Sequence, residues 1–249
     1  MRKSKALLAS ITALSCLCAS CLSMAERIPS MDFVIACAEK IATSGTCGEN
    51  LTWNFEESTG TLTISGTGTM KNWDEYPDWH DFDDDIKKII LKNGVTTIGS
   101  NAFSYCTALT SITIPDSVTA IGGHAFYGSS LTSIIIPDSV TTIGDSAFLG
   151  TPWLKTKQNE NPLVIINGIL IDGTTCEGKI RIPDSVTTIG SHAFSYCTAL
   201  ESIIIPDSVK SIESSAFSDC PALESITIPD SVTTIGDGAF ACCSALTSV

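Results

Sequence analysis

Four cysteines recur at one fixed spacing and are the first residues to consider for chemistry. Each lies three residues after a phenylalanine: Cys106, Cys197, Cys220 and Cys243. Regular thiols suggest a metal site or a disulfide framework. However, Ser129 and Thr151 fill the same place in other copies of the pattern, and no C-x-x-C pair occurs after residue 25. We therefore predict a small buried side chain at this place, which favours a ladder of free thiols over a metal site.

An acidic run, DFDDD at Asp81 to Asp85, resembles the start of a calcium-binding loop because acids stand at alternate positions. Such a loop then needs a glycine where Ile86 stands and a bidentate glutamate where Lys92 stands. The calcium pattern therefore fails, and no metal ligand is predicted. We interpret the run as a solvated acidic surface.

The histidines give little support for catalysis. His124 and His192 share one place, two residues before the phenylalanine, and His80 lies apart from the pattern. Other copies hold different residues at that place: Asn101, Ser146, Ser215 and Gly238. This variation indicates an exposed helix position. No nucleophile motif and no glycine-rich phosphate loop occurs, so we predict no catalytic residue, no cofactor and no enzyme activity.

A repeat must position all of these side chains. Phenylalanines that follow an alanine are separated by 23, 22, 46, 23 and 23 residues. A fixed period in the twenties is typical of a solenoid, in which each coil stacks on its neighbours. The phenylalanines are Phe103, Phe126, Phe148, Phe194, Phe217 and Phe240.

One unit, Leu109 to Ser130, predicts the elements of a coil. Ile112 and Ile114 alternate as in a strand with one buried face. IPDSV, which occurs in five copies, is predicted to be a turn because proline fixes φ and lacks a donor. A second short strand ends at Ile121, and GGHAFYG is predicted to form tight helical turns. The residue after that isoleucine is glycine in five copies and is predicted to have a positive φ, which glycine adopts readily: Gly99, Gly122, Gly144, Gly190 and Gly236. Glu213 takes the place in one copy.

The full pattern, L-x-x-I-x-I-P-x-x-V-x-x-I-G-x-x-A-F-x-x-C, resembles the leucine-rich repeats of the BspA-like family of bacterial surface and secreted proteins. The resemblance covers Ile86 to Val249, and Ser44 to Met70 is similar to the segment that precedes the first repeat in such proteins. It implies a curved, right-handed, β-rich solenoid with a parallel sheet and short helical turns. It also implies an adhesin or interaction protein without catalytic activity.

Residues 26–85 are predicted to contain a lead-in and an N-terminal cap, and residues 86–249 the solenoid. Apolar residues alternate over 51–55 and 62–64, on either side of EESTG, which predicts a β-hairpin that covers the first coil. The lead-in SMDFVIACAEKIATSG is either a short helix or irregular. Other cap residues are Trp73, Trp79 and the candidate disulfide pair Cys37 and Cys47.

One coil, at about residues 152–179, lacks both IPDSV and the Ala-Phe pair. Asn167-Gly168, between PLVII and ILID, predicts a hairpin turn. Lys155 to Asn161 is predicted to be a polar loop that bulges outward. This loop is either a distinctive contact point or a splice between two repeat blocks.

Residues 1–25 are typical of an export signal, with basic MRKSK, an apolar run, and small Ser23 and Ala25 before Glu26. Cleavage there is favoured, and lipid attachment at Cys21 or an uncleaved anchor are the alternatives. The protein is therefore expected to be secreted or displayed on the cell surface, with no membrane span after cleavage. Its net charge of −13 argues against nucleic acid and membrane surfaces as partners. The chain stops at ALTSV within an expected strand, which we interpret as a fragment rather than an open sheet edge.

The outward face of the first strands is the predicted binding surface, because solenoids bind along such extended faces. It is rich in serine and threonine, basic in the middle and acidic toward the C-terminal coils, and it fits a protein or glycan ligand of a monomeric protein. The serine column is either part of the site or backbone-bonding scaffold. The candidate residues are Thr110, Ser111, Thr113, Thr132, Ser133, Ile135, Lys179, Arg181, Glu201, Ser202, Ile204, Glu224, Ser225 and Thr227.

Together these features predict an extracellular, non-enzymatic leucine-rich repeat protein that functions in binding or adhesion. The alternative is a spacer or targeting segment of a larger secreted polysaccharide-processing or catalytic assembly.

Overall fold

The structure is a computed structural model that describes residues 41–247, and from Thr43 onward they form one compact unit. The leader at 1–25, the lead-in up to residue 40 and Cys37 lie outside the described residues. Within residues 41–247, no helix is long and apolar enough to cross a bilayer.

Each intact coil contributes one strand to each of two sets of parallel strands, so the predicted β-rich solenoid is confirmed. Coils stack in register, for example Ile112 with Ile134 and Ile203 with Ile226. The first strands of the coils are β5 (Lys88–Leu91), β7 (Ser111–Thr113), β9 (Ser133–Ile135), β13 (Gly178–Arg181), β15 (Leu200–Ile204) and β17 (Ser225–Thr227). The second strands are β6 (Val95–Ile98), β8 (Ala120–Ile121), β10 (Thr142–Ile143), β14 (Thr188–Ile189), β16 (Ser211–Ile212) and β18 (Thr234–Ile235).

IPDSV forms the corner between the two strands of a coil, as predicted. The Val118 N–H donates to the Pro115 carbonyl at 3.0 Å, and the equivalent bond occurs in the other four copies. The serine of the segment also joins neighbouring coils, since Ser139 Oγ donates to the Val118 carbonyl at 2.8 Å. The five copies therefore fix the geometry of the coils.

Tight backbone turns, rather than the predicted helical turns, carry the buried phenylalanines. The residue two places before the phenylalanine has a left-handed backbone, with φ of 55° at His124 and 57° at His192. Such residues interrupt a right-handed helix. The place varies because it is a left-handed turn position, which asparagine, histidine and glycine tolerate, and not an exposed helix position.

The glycines after the second strands are required for space and not for φ. Gly122 and Gly144 lack the predicted positive φ. A Cβ on Gly122 would lie 2.4 Å from the Ser100 nitrogen, and one on Gly144 would lie 2.4 Å from the Gly123 nitrogen. Neighbouring backbones therefore approach too closely for a side chain. Glu213 takes this place in one coil.

The predicted β-hairpin cap is present. Its two strands pair antiparallel, and the second of them pairs in parallel with β5 of the first coil. Trp73 and Trp79 are buried in the cap, with ring centroids 5.0 Å apart in an edge-on arrangement. The cap strands are β1 (Ser44–Gly48), β2 (Leu51–Glu56), β3 (Thr61–Gly66) and β4 (Gly68–Thr69).

The acidic run is only partly solvated, which corrects the predicted acidic surface. A 3-10 turn at His80–Phe82 directs Phe82 inward, where it stacks on Phe55 with ring centroids 4.4 Å apart. The next residue, Asp83, is consequently only 8% exposed and contacts His80 Nδ1.

A nine-residue helix, α1 (Pro152–Glu160), takes the place of the predicted polar loop. Thr151 caps the helix by accepting a hydrogen bond from the Leu154 N–H at 3.1 Å, and Pro152 opens it. Buried Trp153 and Leu154 fix it to the core. The predicted hairpin follows, with positive φ at its two turn residues, and its strands are β11 (Val164–Ile166) and β12 (Ile169–Asp172).

Stacked phenylalanine rings form the centre of the core, with centroids 5.5 Å apart for Phe126 and Phe148 and 4.9 Å for Phe194 and Phe217. The stack is interrupted at the coil that contains α1. Gly173 occupies the phenylalanine place there. Its N–H donates to the Ala193 carbonyl, just as the phenylalanine N–H of another coil donates to an alanine carbonyl of the coil that follows. We name this coil, at about residues 152–179, the break. The buried apolar residues form two clusters that divide within it, between Ile169 and Leu170.

Candidate binding surface

The fourteen candidate residues, which we name the strand strip, lie on the first strands or directly before them. All are exposed except half-buried Ser202. Their exposure follows from strand alternation, because the intervening Ile112 and Ile203 are buried. The strip has two parts, one along β7 and β9 and one along β13, β15 and β17, and these belong to separate sheets.

Two isoleucines give the strip its apolar contact area. Ile135 is 75% exposed and Ile204 is 56% exposed. The register places Ile135 beside Thr113, and Ile204 between Arg181 and Thr227. When a partner protein or ligand covers an exposed isoleucine, the apolar area that leaves water stabilises the complex.

A basic group marks the start of the second part. Arg181 Nη2 lies 2.8 Å from Asp184 Oδ1, and both side chains are more than half exposed. An exposed pair of this kind is weak, so the arginine can exchange its partner. An open depression of about 420 Å³ lies beside the pair and is lined by Arg181, Asp184, Ile205, Pro206, Asp207 and Ser208.

The hydroxyl groups of the strip divide into two kinds. Thr132 Oγ1 donates to the Thr110 carbonyl of the preceding coil at 3.0 Å and therefore helps to join the coils. The hydroxyls of Ser111, Ser133 and Ser225 form no hydrogen bond with any part of the chain that the structure describes. These serines consequently have donors and acceptors available for a ligand.

The repeated cysteine place is confirmed as a site for small buried side chains. Cys106, Cys197 and Cys220 are buried, and Cys243 is half-buried. Each of the last three donates to a backbone carbonyl of a preceding coil, for example Cys220 Sγ to Phe194 at 3.0 Å. Burial also raises the pKa of the Cys106 thiol well above its usual value, which opposes thiolate chemistry there.

The structure does not bring the three histidines together. His80 contacts Asp83 in the cap, and its ring stacks on Tyr76. His124 packs near Tyr127, whereas His192 Nδ1 lies 2.9 Å from Asp145 Oδ1 across the break.

Sequence reasoning missed Asp172, a buried carboxylate in the break. Its Oδ1 accepts hydrogen bonds from Gln158 Nε2 at 3.0 Å, from the Thr174 N–H at 3.2 Å and from Thr174 Oγ1 at 3.1 Å. Burial raises the pKa of Asp172, and these hydrogen bonds oppose the rise. The lost Ala-Phe pair was the sequence signal for an altered site in this coil.

A family model described as the BspA type leucine rich repeat region matches residues 81–170 and 172–249, with six copies. Among curated proteins, no sequence matches the chain.

Several solved bacterial structures are similar to the chain. A leucine-rich repeat protein from Eubacterium ventriosum is 26% identical, with a TM-score of 0.40, and the match covers 83% of this chain and 72% of that one. A leucine rich cell surface protein from Faecalibacterium prausnitzii is 22% identical, with a TM-score of 0.41 and coverage of 85% and 83%. A leucine rich repeat protein from T. pallidum is 23% identical, with a TM-score of 0.37 and coverage of 81% and 90%.

Proposed function

Because the chain belongs to the BspA-type leucine-rich repeat family, we propose that it is a non-enzymatic binding protein that acts outside the cell. Repeat solenoids bind partners through extended surfaces. The export-signal pattern of residues 1–25 supports secretion or surface display. The acidic composition disfavours nucleic acid and anionic lipid, and so supports a protein or glycan ligand and an adhesive role.

The observation that carries this proposal is the exposure of the strand strip. Ile135 and Ile204 stand outward among side chains that the coils do not need for stacking. The exposed parts of these isoleucines add nothing to the stability of the solenoid alone, whereas a ligand that covers them buries that apolar area. We propose the strip as the contact surface, the segment before residue 86 as the cap, and residues 86–249 as the solenoid that presents the strip.

A binding assay with a charge variant tests the proposal. The purified protein is titrated onto immobilised collagen, laminin, and arrays of neutral and acidic glycans. We expect saturable binding to at least one of them, and a loss of affinity of about tenfold or more in the double variant Ile135→Asp, Ile204→Asp, because each new carboxylate must be desolvated on contact.

The matched control is Thr142→Asp, Thr234→Asp, which adds the same two charges at exposed positions of the second strands. The control should bind as the unmodified protein does. Absence of saturable binding to every probe would overturn the proposed function. An equal loss of affinity in both double variants would show that the strand strip is not the contact surface.

A further inference from the structure

A backbone ladder joins the phenylalanine turns of successive coils. The N–H of Phe103 donates to the Ala125 carbonyl at 2.7 Å, and the N–H of Phe126 donates to Ala147 at 2.8 Å. The residue two places before each phenylalanine donates in the same way, as Asn101 does to Gly123. Alternate N–H groups of each turn therefore point toward the next coil.

The ladder stops at the coil of Phe148. The N–H groups of Ser146 and Phe148 occupy the donating places, yet they have no hydrogen-bond partner within residues 41–247. On the far side of the gap, the Ser191 carbonyl occupies an accepting place and likewise receives no bond there. Unpaired backbone groups beside a packed core are rare, so this gap requires an explanation.

The gap arises because the turn of the break is short. The strand register aligns Leu170 with Ile189 and Gly178 with Leu200. The break therefore advances 8 residues from Leu170 to Gly178. The next coil takes 11 residues over the aligned stretch from Ile189 to Leu200. The shortened segment bonds to the coil that follows it, through Gly173, and leaves the preceding coil uncovered.

A cavity of about 340 Å³ fills the uncovered space. Its apolar walls come from the coil before the break, from α1 and from the break itself, and the contributing side chains include Ile143, Phe148, Leu154 and Ile171. Ser146, Ser191 and Tyr196 also line it. The cavity is within the size range of small-ligand sites and combines apolar walls with a few polar groups.

One buried carboxylate, that of Asp172, belongs to the lining of the cavity. Asp172 is only 5% exposed, and all of the hydrogen bonds that it accepts end on Oδ1. Its Oδ2 receives none from the described residues and is left for the cavity. His192 also lines the cavity, and its ring is paired with Asp145. The cavity therefore offers backbone donors on one wall and a carboxylate acceptor on another.

We propose that this cavity binds a short extended peptide segment of a partner protein through its main chain. Carbonyl oxygens of the segment accept hydrogen bonds from the N–H groups of Ser146 and Phe148, while an N–H group donates to Asp172 Oδ2. In the coils of Phe103, Phe126, Phe194 and Phe217 the groups that satisfy the same row of donors are backbone carbonyls of the next coil, and a peptide supplies such carbonyls at the same spacing.

The volume restricts the side chains of the segment. Since a water molecule occupies about 30 Å³ in the liquid, the cavity holds about eleven waters, or about two to three small residues. Apolar walls favour alanine and valine over charged side chains. This site is separate from the strand strip and does not depend on the adhesive role.

Trialanine amide is the probe, with amide hydrogen exchange and chemical shifts measured by NMR. In the free protein, the amides of Ser146 and Phe148 should exchange faster than those of Asn101 and Phe103, which hold the same places in an intact turn. Saturating peptide should slow the exchange of Ser146 and Phe148 by at least about tenfold, because bound donors are protected.

Two variants locate the binding. Asp172→Asn keeps the shape of the side chain but removes its charge, and we expect peptide affinity to fall by about tenfold. Ser191→Phe should block the cavity and abolish binding, whereas Ser214→Phe, at the same place in the next coil, should not. Unchanged melting temperatures confirm that each variant is folded.

Several outcomes would overturn the peptide site: no saturable shift with trialanine amide, equal loss in Ser191→Phe and Ser214→Phe, or unaltered exchange of Ser146 and Phe148 at saturation. Glucose or N-acetylglucosamine that binds there while the peptide does not would replace it with a sugar site. The variant Ile135→Asp, Ile204→Asp should keep peptide binding, so failure of the strand strip and failure of the cavity are distinguishable.

Discussion

Asp83 shows how a single residue of the cap departs from its sequence context. It stands in an acidic run, yet burial raises its pKa from 3.8 to about 6, although contact with His80 opposes the rise. Burial changes the pKa of Asp83 more than His80 does, because Asp83 is nearly inaccessible to solvent while His80 is partly exposed. The ionised carboxylate is therefore a cost to the folded state at neutral pH.

A pH series tests this cost. Because the folded pKa of Asp83 is above its unfolded value, its contribution is most favourable below about pH 4 and is lost as the pH rises through about 6. We expect Asp83→Asn to gain stability relative to the unmodified protein by about 2 to 3 kcal/mol between pH 4 and pH 7. Urea unfolding at each pH measures the difference.

Asp81→Asn is the control for the loss of one negative charge, because Asp81 is exposed in the same turn. Its stability difference should change with pH much less than that of Asp83→Asn, because the charge of Asp81 is only a minor cause of the raised pKa of Asp83. A difference for Asp83→Asn that is flat, or that falls with rising pH, would show that burial does not dominate at this site.

Helix α1 shows what can and cannot be predicted for an element. Thr151-Pro152 has the composition of a capped helix start, so the signal was present in the sequence. The polar residues after Leu154 suggested a loop, because the sequence does not show that Trp153 and Leu154 are buried beneath the helix. Tertiary packing decided between loop and helix.

The cap of α1 provides a prediction for the element. Thr151 is buried, and its hydroxyl both donates to the Phe148 carbonyl at 2.7 Å and accepts from the Leu154 N–H. We expect Thr151→Ala to destabilise the protein by about 1 to 2 kcal/mol in urea unfolding. Thr156→Ala, an exposed threonine of the same helix, should cost less than about 0.5 kcal/mol. Equal costs for the two variants would argue against a structural cap.

At the scale of the whole molecule, the break divides the solenoid into two blocks. Strands β1 to β10 and strands β11 to β18 belong to separate sheets, and the buried clusters divide at the same place. Side-chain contacts join the blocks, including Asn167 Nδ2, which donates to the Pro137 and Val140 carbonyls. Coupling across the break is therefore expected to be weaker than coupling between stacked coils.

Hydrogen exchange with a core variant tests this division. Phe217→Ala removes a fully buried ring between Phe194 and Phe240, at a cost of about 3 to 5 kcal/mol. We expect amide protection to fall mainly after residue 173 and to change little before residue 150. Phe126→Ala should give the reverse pattern. A uniform loss of protection in either variant would show that the solenoid unfolds as one unit.

From the sequence alone we predict the solenoid, the corners at IPDSV, the capping hairpin, the buried cysteine place and the position of the break. The hairpin depends on local apolar alternation and the other features depend on chemistry repeated at a fixed period, and residue types and spacing record both directly. Packing in three dimensions is needed to show the left-handed turns, the close approach that requires Gly122, the burial of Asp83 and the cavity beside Asp172. These features depend on how closely neighbouring coils approach each other and on which groups a shortened turn leaves uncovered. Neither property can be read from the sequence of one coil.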